Sequence, residues 1–376
     1  MRMATAVLAG SVVLILGWSS PAGAGTQLPK LPEKQDLDKV MKRAEQLRDL
    51  QITEEEEIKL GASVSARVRQ RYGVVQDPAV HRYVTLVGTL LVQKSSRRGL
   101  PFTFIVLDTD GVNAFAAPGG YIHVTRGALG LLSSEAELAG VLAHEITHVT
   151  EKHTIKAIQK NKMIQIGADE TVTKNPALFN KLVDTTSELV LAGFGRSEEL
   201  ESDDLGLVMA NSVGYAPGGL ASFLQRLSDR NKATAERQGL FASHPETQER
   251  LGKIARDIKA RKLASTATLA DRYTNNISYT AKPLTEITTV AAGTSGLAGG
   301  TATKTDAPPK KKGFGLSALM RPGGSEKKSA EVTGSGASRG VDTERNARGG
   351  AVKTTVTVRV TPAELDAFRK EGNLKS

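Results

Sequence analysis

The chain has 376 residues, 39% hydrophobic and 24% charged, which is ordinary for a globular protein and enough for one or two domains with a real core. It contains no cysteine, which excludes disulfides, thiol nucleophiles, thiolate metal ligands and lipidation on an N-terminal cysteine, so any metal must be held by His, Asp and Glu. The formal net charge of +10 sits mostly at the end, where Gly300 to Ser376 holds 15 Lys and Arg against 8 Asp and Glu. Almost no aromatic residues interleave that tail, so no nucleic-acid partner is expected; a loose association with a membrane surface is the remaining electrostatic option.

The N-terminus reads as an export signal. Arg2 supplies the positive start, Ala4 to Trp18 is apolar, and Ala22-Gly23-Ala24 is a cleavage pattern, so residues 1–24 form a signal peptide and the mature chain begins near Gly25. The apolar run is short for a membrane-spanning helix, and no later stretch holds 18 apolar residues. An exported, periplasmic chain is expected. Residues 25–50 are polar and helix-favouring, a lead-in helix. The folded domain is expected over 51–264. It opens on a helix from Ile52 to Gly73, with Thr53 as N-cap and Glu54 to Glu57 in the first turn, where the helix dipole favours acids. That reading is preferred to an acidic metal cluster. A second helix, Asp77 to Ser95, aligns Val80, Tyr83, Val84, Val87 and Leu91 on one face. Three extended runs follow, Phe102–Asp108, Val112–Ala117 and Tyr121–Gly127, separated by the turns TDG and PGG. Ser134 with Glu137 is a capping-box pattern at the start of the next helix. Helical patterning runs to Gly214, and the domain's last helix is read from His244 to Ala260, with Pro245 in its first turn. Residues 265–350, rich in Gly, Ala, Ser, Thr and Lys, read as a disordered linker. Residues 351–376 read as an alternating strand and a Thr361-capped helix. The fold class is therefore α+β: mostly helical with a small three-stranded sheet, then a disordered tail and a short β-α element.

The helix after Ser134 carries His144-Glu145-Ile146-Thr147-His148. Four residues turn about 400° on an α-helix, so the two histidines lie about 40° apart on one face and can reach one metal ion. Glu145, about 100° round from His144, is aimed past that metal, as suits a base acting on water. His153, five residues after His148, falls about 140° round and is given a structural role. His81 and His123 read as ordinary side chains. The third ligand should lie in the acidic segment from Ala192 to Pro217, where the candidates are Glu198, Glu199 and Glu201. A gluzincin site needs a glutamate on a second helix and an aspartate one turn further to hold a ligand histidine's free N–H. Only Glu199 has an acid four residues on, so Glu199 is taken as the ligand and Asp203 as the partner of His144. One zinc ion per chain is expected.

Four stretches then resemble peptidase family forty-eight of the metallopeptidases, the HtpX-, BepA- and CAAX-prenyl-protease-like zinc metalloendopeptidases. They are DGVNAFAAPGGYIHVTRGAL, EAELAGVLAHEITHVTEKH, GRSEELESDDLGLVMANSVGYAP and SHPETQERL, and the likeness runs from about Gln51 to Arg261. Gly195 stands where the family usually has serine, and Ser202 where it usually has alanine. The resemblance implies a gluzincin fold in the soluble periplasmic branch, with peptide hydrolysis by metal-activated water and Glu145 as general base. It also implies that Asn113, Ala114 and Phe115 form a substrate-side edge strand and that Arg250 and His244 lie near the substrate. His244 is read either as an oxyanion donor or as a group filling the metal's open position. Expected partners are polypeptides, in particular unfolded or misfolded envelope proteins. The competing reading is a peptidase-like scaffold that binds such chains without cutting them.

Overall fold

The computed structural model describes residues 52–160, 176–231, 244, 247–283, 287, 289–290, 338–339 and 354–376. The export signal, the lead-in helix and nearly all of the expected linker beyond residue 283 lie outside the described residues. Among those described, eleven helices accompany a three-stranded sheet, an α+β fold.

Helix α1 (Glu54–Tyr72) starts at a reciprocal capping box between Thr53 and Glu56 and stops at Gly73, whose φ is 71°. In α2 (Pro78–Val92), the Asp77 carboxylate accepts from Ala79 N at 2.9 Å. The sheet comprises β1 (Thr103–Leu107), β2 (Ala114–Ala117) and β3 (Tyr121–Thr125), with β3 central, parallel to β1 and antiparallel to β2. A 3-10 turn, Pro118–Gly120, joins β2 to β3. It needs glycine at 119, where φ is +69° and a Cβ would lie 2.6 Å from Ile58 Cα.

The sheet separates two hydrophobic cores. Successive strand side chains point to opposite faces, so Phe104, Val106, Ala114, Ala116, Ile122 and Val124 enter one core while Ile105, Leu107, Phe115 and Ala117 enter the other. Burial on both faces is why the strands read as nearly unbroken apolar runs.

After the short α3 (Arg126–Leu131) comes α4 (Glu135–Thr150), of which every residue is buried. A helix enclosed on all sides must satisfy its polar groups internally. At its start, Glu135 accepts from the hydroxyls of Tyr83 and Tyr215, both at 2.7 Å, and from Arg272. Ser134 Oγ accepts from Glu137 N, but the Glu137 carboxylate reaches back to Ser133 N and across to Arg226, so the capping box is displaced by one residue. Then follow α5 (His153–Lys160), α6 (Pro176–Ala192), α7 (Arg196–Val213), α8 (Gly219–Asn231), α9 (Thr247–Ala260) and α10 (Ala270–Asn276). The chain closes with α11 (Pro362–Glu371). Helix α4 packs along α7 at Gly206, where a Cβ would lie 3.0 Å from His144 N.

Three features depart from the sequence reading. The last helix of the expected domain begins at Thr247, not His244, and Pro245 lies outside the described residues. Residues 265–283, assigned to the linker, are packed: Tyr273 and Ile277 enter the first core, and Arg272 pairs with Glu135. Their partners are distant in sequence, so local composition does not reveal them. Finally, described residues 354–360 form no strand despite their alternation. The carbonyls of Thr354 and Arg359 instead accept from the guanidinium groups of Arg69 and Arg82. Thr361 does cap α11, reciprocally with Glu364.

Candidate metal centre

The side-by-side packing of α4 and α7 brings His144, His148 and Glu199 together. His144 Nε2 and His148 Nε2 are 3.1 Å apart, and Glu199 Oε2 and Oε1 lie 3.4 Å and 3.5 Å from them respectively. Tetrahedral zinc with bonds of about 2.0–2.1 Å holds its ligand atoms about 3.3 Å apart, so these three form one face of such a tetrahedron. His244 joins the group from the chain preceding α9, with Nδ1 at 3.2 Å from His144 Nε2 and 2.8 Å from Glu199 Oε2.

Two further observations fit a divalent cation. Glu145 is 1% exposed, and its Oε2 is buried without a hydrogen-bond partner. An unpartnered buried carboxylate oxygen beside three convergent ligands marks a place for a polar occupant. Charge gives the second. Glu145, Glu199 and Asp203 are all buried around the guanidinium of Arg250, so without a metal the remaining negative charge falls to protonated imidazoles such as His144, whose place a bound cation would take.

Asp203 Oδ1 lies 3.0 Å from His144 Nδ1, so His144 can donate to it while offering Nε2 to a metal. Arg250 Nε and Nη2 donate to the two oxygens of Asp203 at 2.8 and 2.7 Å, and Nη1 lies 3.0 Å from Glu199 Oε2. Expected near substrate, Arg250 is only 1% exposed and clamps Glu199 and Asp203 of α7. Burial works against charge throughout this cluster; the partners overcome it at His144 and Glu199 but not at Glu145 or His148. The hydrogen bonds from His144 to Asp203 and Glu199 raise its pKa to about 9 against the burial that lowers it. The charges of His244 and Arg250 hold Glu199 well below the usual carboxylate range in spite of burial. Burial dominates at Glu145 and raises its pKa. Burial, then the charge of His144, keeps His148 far below the ordinary histidine value.

The expected substrate strand lies at the sheet edge. Asn113 precedes β2, and Asn113, Ala114 and Phe115 are at most 2% exposed. All four residues of β2 are buried, backbone included, and α6 packs against them, so in this structure the strand offers a peptide neither its side chains nor its backbone edge.

Sequence periodicity missed two neighbours of His148. The Phe194 ring stacks on it, with centroids 4.4 Å apart. His153 Nδ1 is 2.8 Å from His148 Nδ1. The 140° offset assumed a continuing helix, but α4 ends at Thr150 and Lys152 adopts a left-handed φ of 55°, which folds His153 back onto His148. No glycine or asparagine announces that turn. Glu57, in the acidic run of α1, is likewise not a free helix-start acid: it accepts from Gly119 N and from Arg97.

A histidine pair four apart on one helix, a glutamate from a second helix and the Glu145 carboxylate beside them form an arrangement like that of a gluzincin-type metallopeptidase and could hold a metal ion. The model of peptidase family M48 matches residues 78–258, which carry this whole constellation, and the domain belongs to that family of metallopeptidases. The chain is 25% identical over 229 residues to the beta-barrel assembly-enhancing protease of Yersinia pestis, covering 58% of this chain and 47% of that one. It is 26% identical over 208 residues to the protein of the same name from Escherichia coli strain K12, covering 52% and 42%. It is also 31% identical over 163 residues to the mitochondrial metalloendopeptidase OMA1 of Arabidopsis thaliana, covering 43% and 32%. The chain therefore spans about half or less of the length of these curated relatives.

Proposed function

We propose that this protein is a zinc-dependent metalloendopeptidase. The observation that carries the reading is the triangle of His144, His148 and Glu199 with the unpartnered Oε2 of Glu145 beside it. Zinc held by those three residues would supply Lewis acidity, polarising a peptide carbonyl and acidifying a water molecule. Glu145 takes the proton from that water and returns it to the leaving amine, and its burial-raised pKa suits a group that must hold a proton for part of the cycle. Asp203 keeps the proton of His144 on Nδ1, and Arg250 keeps Asp203 and Glu199 in place. His244, whose Nδ1 sits at the fourth corner of the ligand set, is read as a group that substrate displaces.

An extended peptide could pair along the edge of β2 only once α6 gives way; it would then present its backbone rather than particular side chains, which fits broad specificity for unfolded chains. The names of the bacterial relatives refer to beta-barrel assembly, and with the N-terminal export pattern they support envelope polypeptides as substrates and the periplasm as location. Among the described residues, no helix is long and apolar enough to cross a membrane.

The test is casein hydrolysis by the purified full chain. A chelator should abolish it and zinc restore it. Glu145→Gln should bind zinc as tightly as wild type and lose at least about a hundredfold in rate, within the usual weight of a general base. A zinc-loaded Glu145→Gln variant that cuts as fast as wild type rules the mechanism out, and a wild type that binds denatured protein without cutting it leaves the scaffold reading standing. His244→Ala should raise the rate if His244 closes the site and lower it if His244 serves as an oxyanion donor.

A further inference from the structure

We infer that His153 and Glu201 act as a tautomer relay for His148, making them positioning residues for the metal centre. The inference rests on the metal reading above. His148 has two ring nitrogens with different neighbours. Nε2 faces His144 Nε2 at 3.1 Å and Glu199 Oε1 at 3.5 Å, the ligand side. Nδ1 faces His153 Nδ1 at 2.8 Å. Two imidazole nitrogens at hydrogen-bond distance require one hydrogen between them, carried by one ring and accepted by the other. If His148 is to offer the Nε2 lone pair to a metal, its own proton must stay on Nδ1, so His153 Nδ1 must be the acceptor.

That leaves the hydrogen of His153 on Nε2. There it meets Glu201 Oε2 at 3.0 Å, and a carboxylate oxygen can only accept. Glu201 therefore selects the tautomer of His153, and His153 selects the tautomer of His148. The reverse arrangement would place a proton on His148 Nε2, inside the ligand triangle. The remaining neighbours leave this assignment intact: Ser202 Oγ stands 3.5 Å from His153 Nδ1, and its hydroxyl can donate or accept and so favours neither tautomer, while the Phe194 ring packs against both imidazoles and has no hydrogen-bonding group.

The two histidine ligands are thus held by different means from the same helix. His144 is backed directly by Asp203, and His148 is backed by Glu201 through an intervening imidazole. Both acids stand on α7, the helix that also supplies Glu199. The turn at Lys152 brings the relay together by carrying His153 back over His148.

The test measures zinc affinity by competition with a chromophoric chelator, on full-length variants, alongside the absorption of the cobalt(II)-substituted proteins. His153→Leu removes the acceptor and should weaken zinc binding about 10- to 100-fold, the usual effect of losing a partner that orients a ligand, and should shift the cobalt spectrum. His153→Asn restores an acceptor near the Nδ1 position and should recover most of that loss. Should His153→Leu fail to fold, Glu201→Leu decides, because the Glu201 side chain is 47% exposed and its removal opens no cavity. It should weaken zinc binding several-fold while the melting temperature of the metal-free protein stays the same. Equal affinity in Glu201→Leu and wild type, or equal losses in His153→Leu and His153→Asn, overturns the relay. A wild type that binds no zinc overturns the metal reading as well.

Discussion

Arg250 sets how much negative charge the centre can hold without a metal. Among the described residues it is the only guanidinium paired with Glu199 and Asp203, and all three side chains are at most 1% exposed. Removing one member of a buried ionic cluster leaves the others uncompensated and typically costs about 3–5 kcal/mol. Arg250→Leu should therefore destabilise the metal-free protein by roughly that much in urea denaturation. Added zinc should recover part of the loss, since a second cation then faces Glu199. Helical geometry made the pairs His144–His148 and Glu199–Asp203 legible in the sequence, because each lies about one turn apart on a single helix; that the two helices meet was implied by the family resemblance and not by spacing. The contacts of Arg250 were not legible, since they depend on how α9 lies against α7. Nor were those of His153, which depend on a turn that no glycine marks.

Within the elements, the spacing of α4 and α7 governs the ligand geometry. Gly206→Val would put its Cβ 3.0 Å from His144 N, a few tenths of an ångström too near a backbone that cannot move without its ligand side chain. Replacing glycine inside a helix gains less than about 1 kcal/mol, whereas overpacking costs about 1–3 kcal/mol, so the net effect is a loss. Calorimetry should show a lower melting temperature, and chelator competition a weaker zinc site. The sheet has its own sensitivity, to acid. His123 on β3 is fully buried between Ser65 Oγ, at 3.0 Å, and the stacked Phe115 ring; burial, aided by the charge of Arg69, lowers its pKa to about 3. The unfolded chain takes up the proton near pH 6.5 but the folded one does not. Stability from this group is full above about pH 6.5 and is lost as pH falls towards 3, amounting to roughly 3 kcal/mol by pH 4.5. His123→Gln should flatten the melting temperature across that interval, even if it melts lower at pH 7. The caps of α1 and α11 were readable because capping is a local exchange between a side chain and the backbone. The absence of a strand over 354–360 was not, because alternation describes side chains while a ladder needs a free sheet edge beside it.

The whole molecule is closed by residues far apart in sequence. Arg272 pairs with Glu135 at the start of α4, donates to the Phe368 carbonyl at 2.8 Å and lies 3.9 Å from the centre of the Phe368 ring. Phe368 also packs edge-on against Tyr83, at 6.0 Å between centroids. Phe368→Ala should cost about 3–5 kcal/mol if the site cannot collapse, read as a shift in the urea midpoint. Past α11, Lys375 N donates to Val213 O at 2.7 Å, at the end of the helix that carries Glu199, and Lys94 Nζ donates to Ser376 O at 2.8 Å. The last residues are therefore attached by contacts of their own and not only by the peptide chain that leads to them. A single cut between Val290 and Ser338 should accordingly give two pieces that separate on a denaturing gel yet travel as one species through a sizing column, a nicked protein that stays whole.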